Sequence, residues 1–146
     1  MRRGFTIVEL IVSFGVIAIL IGTGVSISQQ AQRRQAVIQT AEGLSAAMKT
    51  ARENALAGKK DTIACGAALL DGWRVVVLAN GYRLEGVCGS AFFSKTKNYT
   101  GGIINSPTPT VLFKPLALGA SPATIITVSG SGVSQAVQVT ASGEVK

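Results

Sequence analysis

The sequence predicts an α+β protein in which one long N-terminal helix packs against a small antiparallel β-rich domain. Three observations support this fold class. An almost unbroken apolar run occupies residues 10–32, an amphipathic pattern follows it, and short β-rich segments separated by turn residues fill the rest of the chain. A helix followed by many short strands is typical of the α+β class, in which the sheet covers one side of the helix.

The apolar run is long enough to cross a membrane as a helix. Residues 10–32 carry no charged side chain, and at about 1.5 Å per residue they span a hydrocarbon core of roughly 30 Å. Glu9 is the one charge at the start of the run. A carboxylate there needs a cationic partner or access to the headgroups, because an unpaired charge inside a membrane is costly. We therefore expect residues 5–32 to form a transmembrane helix.

The same helix is predicted to continue as an amphipathic half over residues 33–58. Apolar residues recur there at spacings of four and three, with polar residues on the other faces. Gly58 is typical of a helix C-terminus, and Lys59 and Lys60 lie near the negative end of the helix dipole. We interpret the apolar stripe as a surface for the later strands, with a coiled-coil seam as the alternative. Its residues are Val37, Ala41, Leu44, Met48, Ala51 and Ala55.

Residues 59–146 are predicted to form the β-rich exported domain. The dipeptide Asn80-Gly81 predicts a tight hairpin, and residues 129–132 predict a second turn. Residues 94–109 are rich in Gly, Pro, Ser, Thr and Asn, and we expect a long, poorly packed loop there. The predicted strands are Thr62–Cys65, Trp73–Leu78, Tyr82–Val87, Ala91–Ser94, Val111–Lys114, Thr124–Ser129 and Ala136–Thr140.

Composition argues against catalysis. The 146-residue chain contains no histidine, so neither a Ser-His-Asp nor a Cys-His arrangement is available. It contains no Gly-x-x-x-x-Gly-Lys phosphate loop, and the acidic residues of the exported part are few and scattered. We therefore expect no enzymatic activity, no cofactor and no metal.

The two cysteines, Cys65 and Cys88, both lie in the part that we expect to be exported, where oxidising conditions permit a disulfide. A disulfide between them would add roughly 3 kcal/mol to the free energy of unfolding in the loop-entropy description. The alternative is a pair of separate buried thiols. A zinc site is disfavoured, because two cysteines without histidine supply only half of its ligands.

Residues 4–10, with the sequence GFTIVEL, resemble the N-terminal signal of type IV pilins and pseudopilins. The resemblance implies that residues 1–4 are a leader peptide, that a prepilin peptidase cuts between Gly4 and Phe5, and that Phe5 is then N-methylated. Glu9 would be the assembly carboxylate that pairs with the terminal amine of a neighbouring subunit. This role agrees with the need of a buried carboxylate for a nearby cation. An ordinary signal anchor that happens to contain a glutamate is the alternative.

A second resemblance covers most of the exported domain. Several short segments follow the order seen in H-type, FimT-like minor pseudopilins, the GspH/FimT family. This resemblance implies a pilin-like fold, and it assigns a closing hairpin to the last residues of the chain. The matching segments are residues 51–55, 62–65, 72–76, 113–115 with Gly119, and 142–145.

The family resemblance implies a minor pilin or pseudopilin, a structural assembly subunit of a type II secretion or type IV pilus filament. Its implied partners are a prepilin peptidase, other pilin or pseudopilin subunits, and an inner-membrane assembly platform with a cytoplasmic ATPase. Arg2 and Arg3 favour a cytoplasmic N-terminus by the positive-inside rule, whereas Arg33 and Arg34 on the far side of the span oppose it. The orientation therefore follows the family resemblance. We therefore expect a single-pass protein of the inner membrane whose C-terminal domain is periplasmic or extracellular.

A DNA-binding minor pilin of a competence pilus, which takes up DNA, is the alternative function. Residues 33–146 carry 12 basic and 6 acidic side chains, and Lys95, Lys97 and Lys114 are candidates for a phosphate-binding cluster. Two observations argue against this alternative. The C-terminal hairpin lacks the basic residues that the resemblance would require, and the sequence shows no interleaving of aromatic and basic residues for base stacking.

Overall fold

The computed structural model describes residues 6–116 and 118–146 and, apart from residues 20–27, their side chains. The chain divides into two compact units, Met1–Gln35 and Ala36–Lys146. The long helix α1 (Ile7–Leu56) contributes residues to both units, and the other elements lie in the second unit. The architecture is α+β and pilin-like, with an N-terminal helix packed on antiparallel β-structure, which confirms the predicted fold class.

Two antiparallel sheets make up the β-structure of the described residues. The elements after α1 are α2 (Thr62–Cys65), β1 (Gly72–Leu78), β2 (Gly81–Cys88), β3 (Ser90–Asn98), β4 (Ile104–Ser106), β5 (Thr110–Phe113), β6 (Ala120–Ser121), β7 (Thr124–Gly130) and β8 (Val133–Val139). The larger sheet has the strand order β3-β2-β1-β5-β6, and the smaller has the order β4-β7-β8. The chain closes with a turn that returns Val145 beside Val139.

The core of the second unit lies between α1 and both sheets. All six residues of the predicted apolar stripe of α1, from Val37 to Ala55, are buried, which supports the interpretation of the stripe as a surface for the strands. Each sheet turns one face toward this stripe, because side chains alternate between the two faces of a strand. The main sheet residues in the core are Trp73, Val75, Val77, Val111, Phe113, Ile126, Val128, Val137 and Val139.

Both predicted turns are confirmed. In the first, Leu78 pairs with Gly81, so the two turn residues are Ala79 and Asn80, and Gly81 already belongs to β2. In the second, Gly130 pairs with Val133 across a two-residue turn. Its turn residues, Ser131 and Gly132, have φ angles of 53° and 77°, the left-handed conformation that a type I′ turn has at both positions.

The predicted strand Thr62–Cys65 is wrong, because these residues form the short helix α2. The preceding residue, Asp61, caps the helix: one carboxylate oxygen accepts hydrogen bonds from the backbone N–H groups of Ile63 and Ala64, at 2.8 and 3.1 Å. Capping of this kind satisfies donors that would otherwise be left without partners at a helix start. The strand prediction did not take this cap into account.

The prediction of a long, poorly packed loop over residues 94–109 is also wrong. Strand β3 continues to Asn98, and β4 lies within the same stretch. Asn105 is buried, and its amide Nδ2 donates hydrogen bonds to the carbonyl oxygens of Leu78 and Gly81, at 2.8 and 2.9 Å. These bonds offset the cost of burying a polar side chain. The Asn105 side chain therefore adds to the backbone hydrogen bonds that hold this segment against the first hairpin.

Candidate functional site

The predicted processing site, Gly4 and Phe5, lies outside the described residues. Glu9, the predicted assembly carboxylate, is exposed in the first turn of α1. Its backbone N–H donates to the side-chain oxygen of Thr6 at 3.3 Å, which places Thr6 at the cap of the helix. Among the described residues the carboxylate of Glu9 has no ion-pair partner. The site therefore presents an exposed acidic group at the helix N-terminus.

The first part of α1 exposes a continuous series of apolar side chains. A contiguous apolar surface of this kind marks a site of association with a membrane or with another protein. The large exposed apolar residues of this region are Ile7, Val8, Leu10, Ile11, Val12, Phe14, Val16, Ile17 and Ile19. Within the part of the chain that the structure describes, none of the helices combines the length and the apolar character needed to span a membrane.

The two cysteines lie next to each other at one end of the larger sheet. The structure joins Cys65, the last residue of α2, to Cys88, the last residue of β2, through a disulfide with a Cα–Cα distance of 5.8 Å. Both residues are buried. The bridge attaches α2 and the loop around it to the end of the sheet.

The three lysines proposed for a phosphate-binding cluster lie on both faces of the larger sheet. Lys95 is paired with Leu84 and Lys97 with Tyr82, so both side chains leave β3 on the face that covers the core. Lys114 directly follows the buried Phe113 and points to the opposite face, where it lines a depression with Arg74. The structure therefore brings Lys95 and Lys97 to one face and leaves Lys114 on the other.

Aromatic and basic residues that are distant in the sequence converge in a groove between α1 and β3. Its aromatic wall contains Trp73, whose ring centroid lies 5.6 Å from that of Phe92 and 5.5 Å from that of Phe93. The cavity in the groove has a volume of about 550 Å³, and Lys59, Lys60 and Lys95 line it. We refer to this feature as the aromatic groove. Sequence inspection missed it, because its basic and aromatic residues come from separate segments.

Hydrogen bonds position several groups around the aromatic groove. Trp73 is buried, as a core residue, and its Nε1 donates to the backbone oxygen of Lys59 at 2.9 Å. The ammonium group of Lys60 donates to the backbone oxygen of Ala68 at 3.1 Å and is thereby tied to the loop after α2. Lys59 and Lys95 have exposed side chains with no acidic partner among the described residues. Asp61 also lines the groove, and its carboxylate caps α2. With three lysines and one aspartate in its lining, the groove carries an excess of positive charge.

A second depression continues along the same side of α1. It has a volume of about 350 Å³ and lies between small residues of the helix, such as Thr40 and Gly43, and Tyr82, Lys97 and Tyr99. Burial raises the pKa of Tyr82 above its ordinary value. Burial also raises the pKa of Tyr99, and a hydrogen bond from Asn105 opposes that shift. The two tyrosines are therefore neutral over the physiological pH range.

A buried carboxylate on the outer face of the larger sheet is a further feature that was not predicted. Glu85 pairs with Arg74 in the register of the first hairpin and forms an ion pair with its guanidinium group. Arg83 Nε also lies 2.9 Å from a Glu85 oxygen, although its N–H is not aimed well enough for a hydrogen bond. The turn at Asn80 is the sequence signal that could have revealed this pair. It sets the register of the first hairpin and so places Arg74 opposite Glu85.

Comparison with known families identifies two regions of the chain. The prokaryotic N-terminal methylation motif matches residues 1–25. The family described as type II transport protein GspH matches residues 40–143, well over half of the chain. No curated protein and no solved structure matches the chain. The second match covers the distal part of α1, both sheets and the disulfide, so the chain belongs to the GspH family of type II transport proteins.

Proposed function

We propose that this chain is a minor pseudopilin, which a prepilin peptidase processes and which then enters a filament as a structural subunit. The order of the two family matches carries the proposal. A methylation motif over residues 1–25 is followed by a GspH-type exported domain over residues 40–143. The description of that family as a type II transport protein favours a type II secretion system over a type IV pilus or a competence apparatus.

The proposed processing step creates the charge that Glu9 needs. Cleavage between Gly4 and Phe5 releases residues 1–4 and leaves a positively charged amine on Phe5, which is then methylated. Glu9 lies in the first turn of α1 and is exposed without a partner among the described residues. A carboxylate transferred into an apolar environment requires a cation close by. The amine of Phe5 in a neighbouring subunit meets this requirement.

The apolar surface of α1 has two proposed environments. Before assembly, residues 5–32 lie in the inner membrane, and the exposed apolar side chains contact lipid. After assembly, the same side chains pack against the equivalent segments of other subunits. Both environments keep the apolar surface out of water, where its exposure would be costly. An inner-membrane assembly platform transfers the subunit from one environment to the other.

The disulfide supports the proposed orientation across the membrane. Disulfides persist in oxidising compartments and are rare in the cytoplasm. The structure joins Cys65 to Cys88, so the unit that contains them is suited to a location outside the cytoplasm. Arg2 and Arg3 precede the apolar segment and favour a cytoplasmic N-terminus. Arg33 and Arg34 on the other side of the segment oppose this charge preference, so the disulfide and the N-terminal methylation motif carry the proposed topology.

The experiment that tests the proposal is intact-mass analysis of the chain from cells with and without a prepilin peptidase. We expect the chain from peptidase-containing cells to lack residues 1–4 and to carry one added methyl group on Phe5. We expect the chain from peptidase-free cells, and a Gly4→Val variant in either strain, to remain full length. A chain that keeps residues 1–4 in the presence of the peptidase, or that is cut after the apolar segment, would contradict the proposal.

A further inference from the structure

Strand β3 is an edge strand beside the aromatic groove. It pairs with β2 on one side only, within the larger sheet of the described residues. Its nine residues are exposed except for Phe92. An edge strand presents alternate backbone N–H and C=O groups without partners, and such an edge pairs readily with an extended segment of another chain.

Charge restricts the kind of segment that fits this edge. Lys95 and Lys97 of β3 and Lys59 beside the groove lie on the same side of the sheet edge and have no acidic partner among the described residues. Complementary charge favours an acidic segment and disfavours a basic one. The exposed ring of Phe93, next to Trp73, offers an apolar contact for one side chain of that segment.

A second copy of this chain does not meet these requirements. Full-length antiparallel pairing of two β3 strands would place Lys95 opposite Phe93 and Lys97 opposite Ala91, so neither lysine would gain an acidic partner. Shifted registers that bring lysines of the two copies opposite each other are destabilised by their like charges. The acidic residues of the second unit are also isolated in the sequence and partly committed: Asp61 caps α2, and Glu85 is paired with Arg74. The occupant is therefore a different protein.

The structure also favours a peptide over a nucleic acid. Base stacking requires ring faces that are open to solvent. Trp73 is only 3% exposed and Phe92 is partly buried, so Phe93 is the one ring of the cluster with substantial exposure, at 41%. Unpaired backbone groups along an edge strand complement another strand, whereas a nucleic acid has no equivalent series of alternating donors and acceptors.

We propose that the edge of β3 and the aromatic groove form a docking site for an extended acidic segment of another protein. The segment adds to the larger sheet as a strand beside β3. Its acidic side chains face Lys95, Lys97 and Lys59, and one apolar side chain contacts Phe93. This site is distinct from Glu9 and the apolar surface of α1, and it does not depend on the proposed filament role.

The first test is a selection with the full chain, disulfide intact and kept in solution by a mild detergent. A displayed library of random peptides, nine residues long to match β3, is selected for binding. We expect the enriched peptides to alternate acidic and apolar residues. Enrichment of basic peptides, or no enrichment over an empty display control, would overturn the proposal.

The second test locates the site with the best selected peptide, labelled with fluorescein. Trp73 is the one tryptophan of the chain and lines the groove, so we expect a peptide bound there to change its emission. We expect Lys95→Glu to weaken binding about tenfold, since it replaces an attraction with a repulsion. The matched control is Lys114→Glu, which makes the same charge change on the opposite face, and we expect it to leave the affinity within about twofold. Equal losses in the two variants would overturn the proposed location.

Two further probes distinguish the mode of binding. A peptide with methyl groups on alternate backbone nitrogens cannot complete the strand pairing, and we expect it to bind about tenfold more weakly. Unchanged affinity of the methylated peptide would exclude strand addition and overturn the proposal. A nine-nucleotide oligothymidine is the competitor for the nucleic-acid alternative. The proposal fails if the oligonucleotide binds more tightly than any selected peptide and if Lys95→Glu weakens that binding, because the groove is then a nucleic-acid site.

Discussion

The indole ring of Trp73 meets the ring of Phe92 edge to face, with centroids 5.6 Å apart and ring planes at 87°. The contact depends on Gly86 of the neighbouring strand, because a side chain there would collide with the Phe92 ring. Phe92 lies where the register between β2 and β3 shifts, between Gly86 and Val87. A strand irregularity and a glycine thus combine to build the aromatic wall of the groove.

The first prediction concerns Gly86→Ala. The added methyl group forces the Phe92 ring away from Trp73, and we expect a loss of about 1–3 kcal/mol in the free energy of unfolding, as for other overpacked sites. Urea unfolding of the full chain in detergent, followed by the fluorescence of Trp73, measures the loss. Gly43→Ala is the control, because a side chain at Gly43 in α1 has open space around it. Equal stability of the two variants would contradict the interpretation.

The second prediction concerns Asn105→Asp. The amide Nδ2 of Asn105 donates to the carbonyl oxygens of Leu78 and Gly81. A carboxylate at this buried position would face two acceptors with no hydrogen to donate, so we expect a loss of roughly 3 kcal/mol or more at neutral pH. Chemical denaturation measures it against Asn80→Asp, which makes the same change at an exposed turn position. A loss of similar size in the control variant would contradict the role of Asn105.

The third prediction concerns alkaline pH. Burial raises the pKa of Tyr82 and of Tyr99 above the ordinary value of 10.0. The folded state therefore holds both protons more tightly than the unfolded state, so the associated stability is complete below pH 10 and is lost as the pH rises through the folded pKa values. Tyrosinate absorbance of the native chain should rise at higher pH than that of the chain in denaturant.

The chain has two tyrosines, so Tyr99→Phe assigns the native absorbance change between them. We expect this variant to retain the titration of Tyr82 alone and to show a smaller fall in stability above pH 10. Native tyrosines that ionise at or below the pH seen in denaturant would show that the burial has no effect on their pKa values.

The fourth prediction concerns the disulfide. The bridged residues Cys65 and Cys88 are separated by 23 positions, and removal of a crosslink over a loop of this length costs roughly 3 kcal/mol in the loop-entropy description. We expect that loss in the chain with both Cys65→Ser and Cys88→Ser, measured by urea unfolding. Addition of a thiol reductant should destabilise the unmodified chain and leave the double variant unchanged. A reductant effect of equal size on both chains would exclude the disulfide as its cause.

The fifth prediction concerns Glu9→Ala. Under the proposed function, the variant loses the carboxylate that pairs with the amine of a neighbouring subunit, but the residues on either side of the cleavage site remain. We expect intact-mass analysis to show largely normal processing, while the amount of the chain in sheared filaments falls about tenfold or more. Glu53→Ala removes an exposed carboxylate from the second unit and is the matched control. Normal incorporation of the Glu9→Ala chain would contradict the pairing.

Local patterns account for the features that the sequence predicted well. The apolar stripe of α1 was recognised because its spacing reflects helix geometry, and both hairpins were recognised because Asn and Gly are common residues in tight turns. The failures have a common cause. The structures of Thr62–Cys65 and of residues 94–109 both depend on hydrogen bonds between a side chain and the backbone. Asp61 accepts from the backbone of the helix that it caps, and Asn105 donates to the backbone of a hairpin distant in the sequence. Neither the composition nor the periodicity of a sequence indicates such hydrogen bonds.

By itself, the sequence determined the α+β class, the helix with its buried stripe, most of the strands, and the resemblance to pilin-like proteins. These features follow from short-range patterns, because helix and strand periodicities and turn conformations act over a few residues. Only the tertiary structure decided that Lys114 lies on the opposite face from Lys95, that Asn105 holds β4 to the first hairpin, and that Trp73, Phe93 and Lys59 meet in one groove. These relationships depend on strand order and register, which many residues set together through packing.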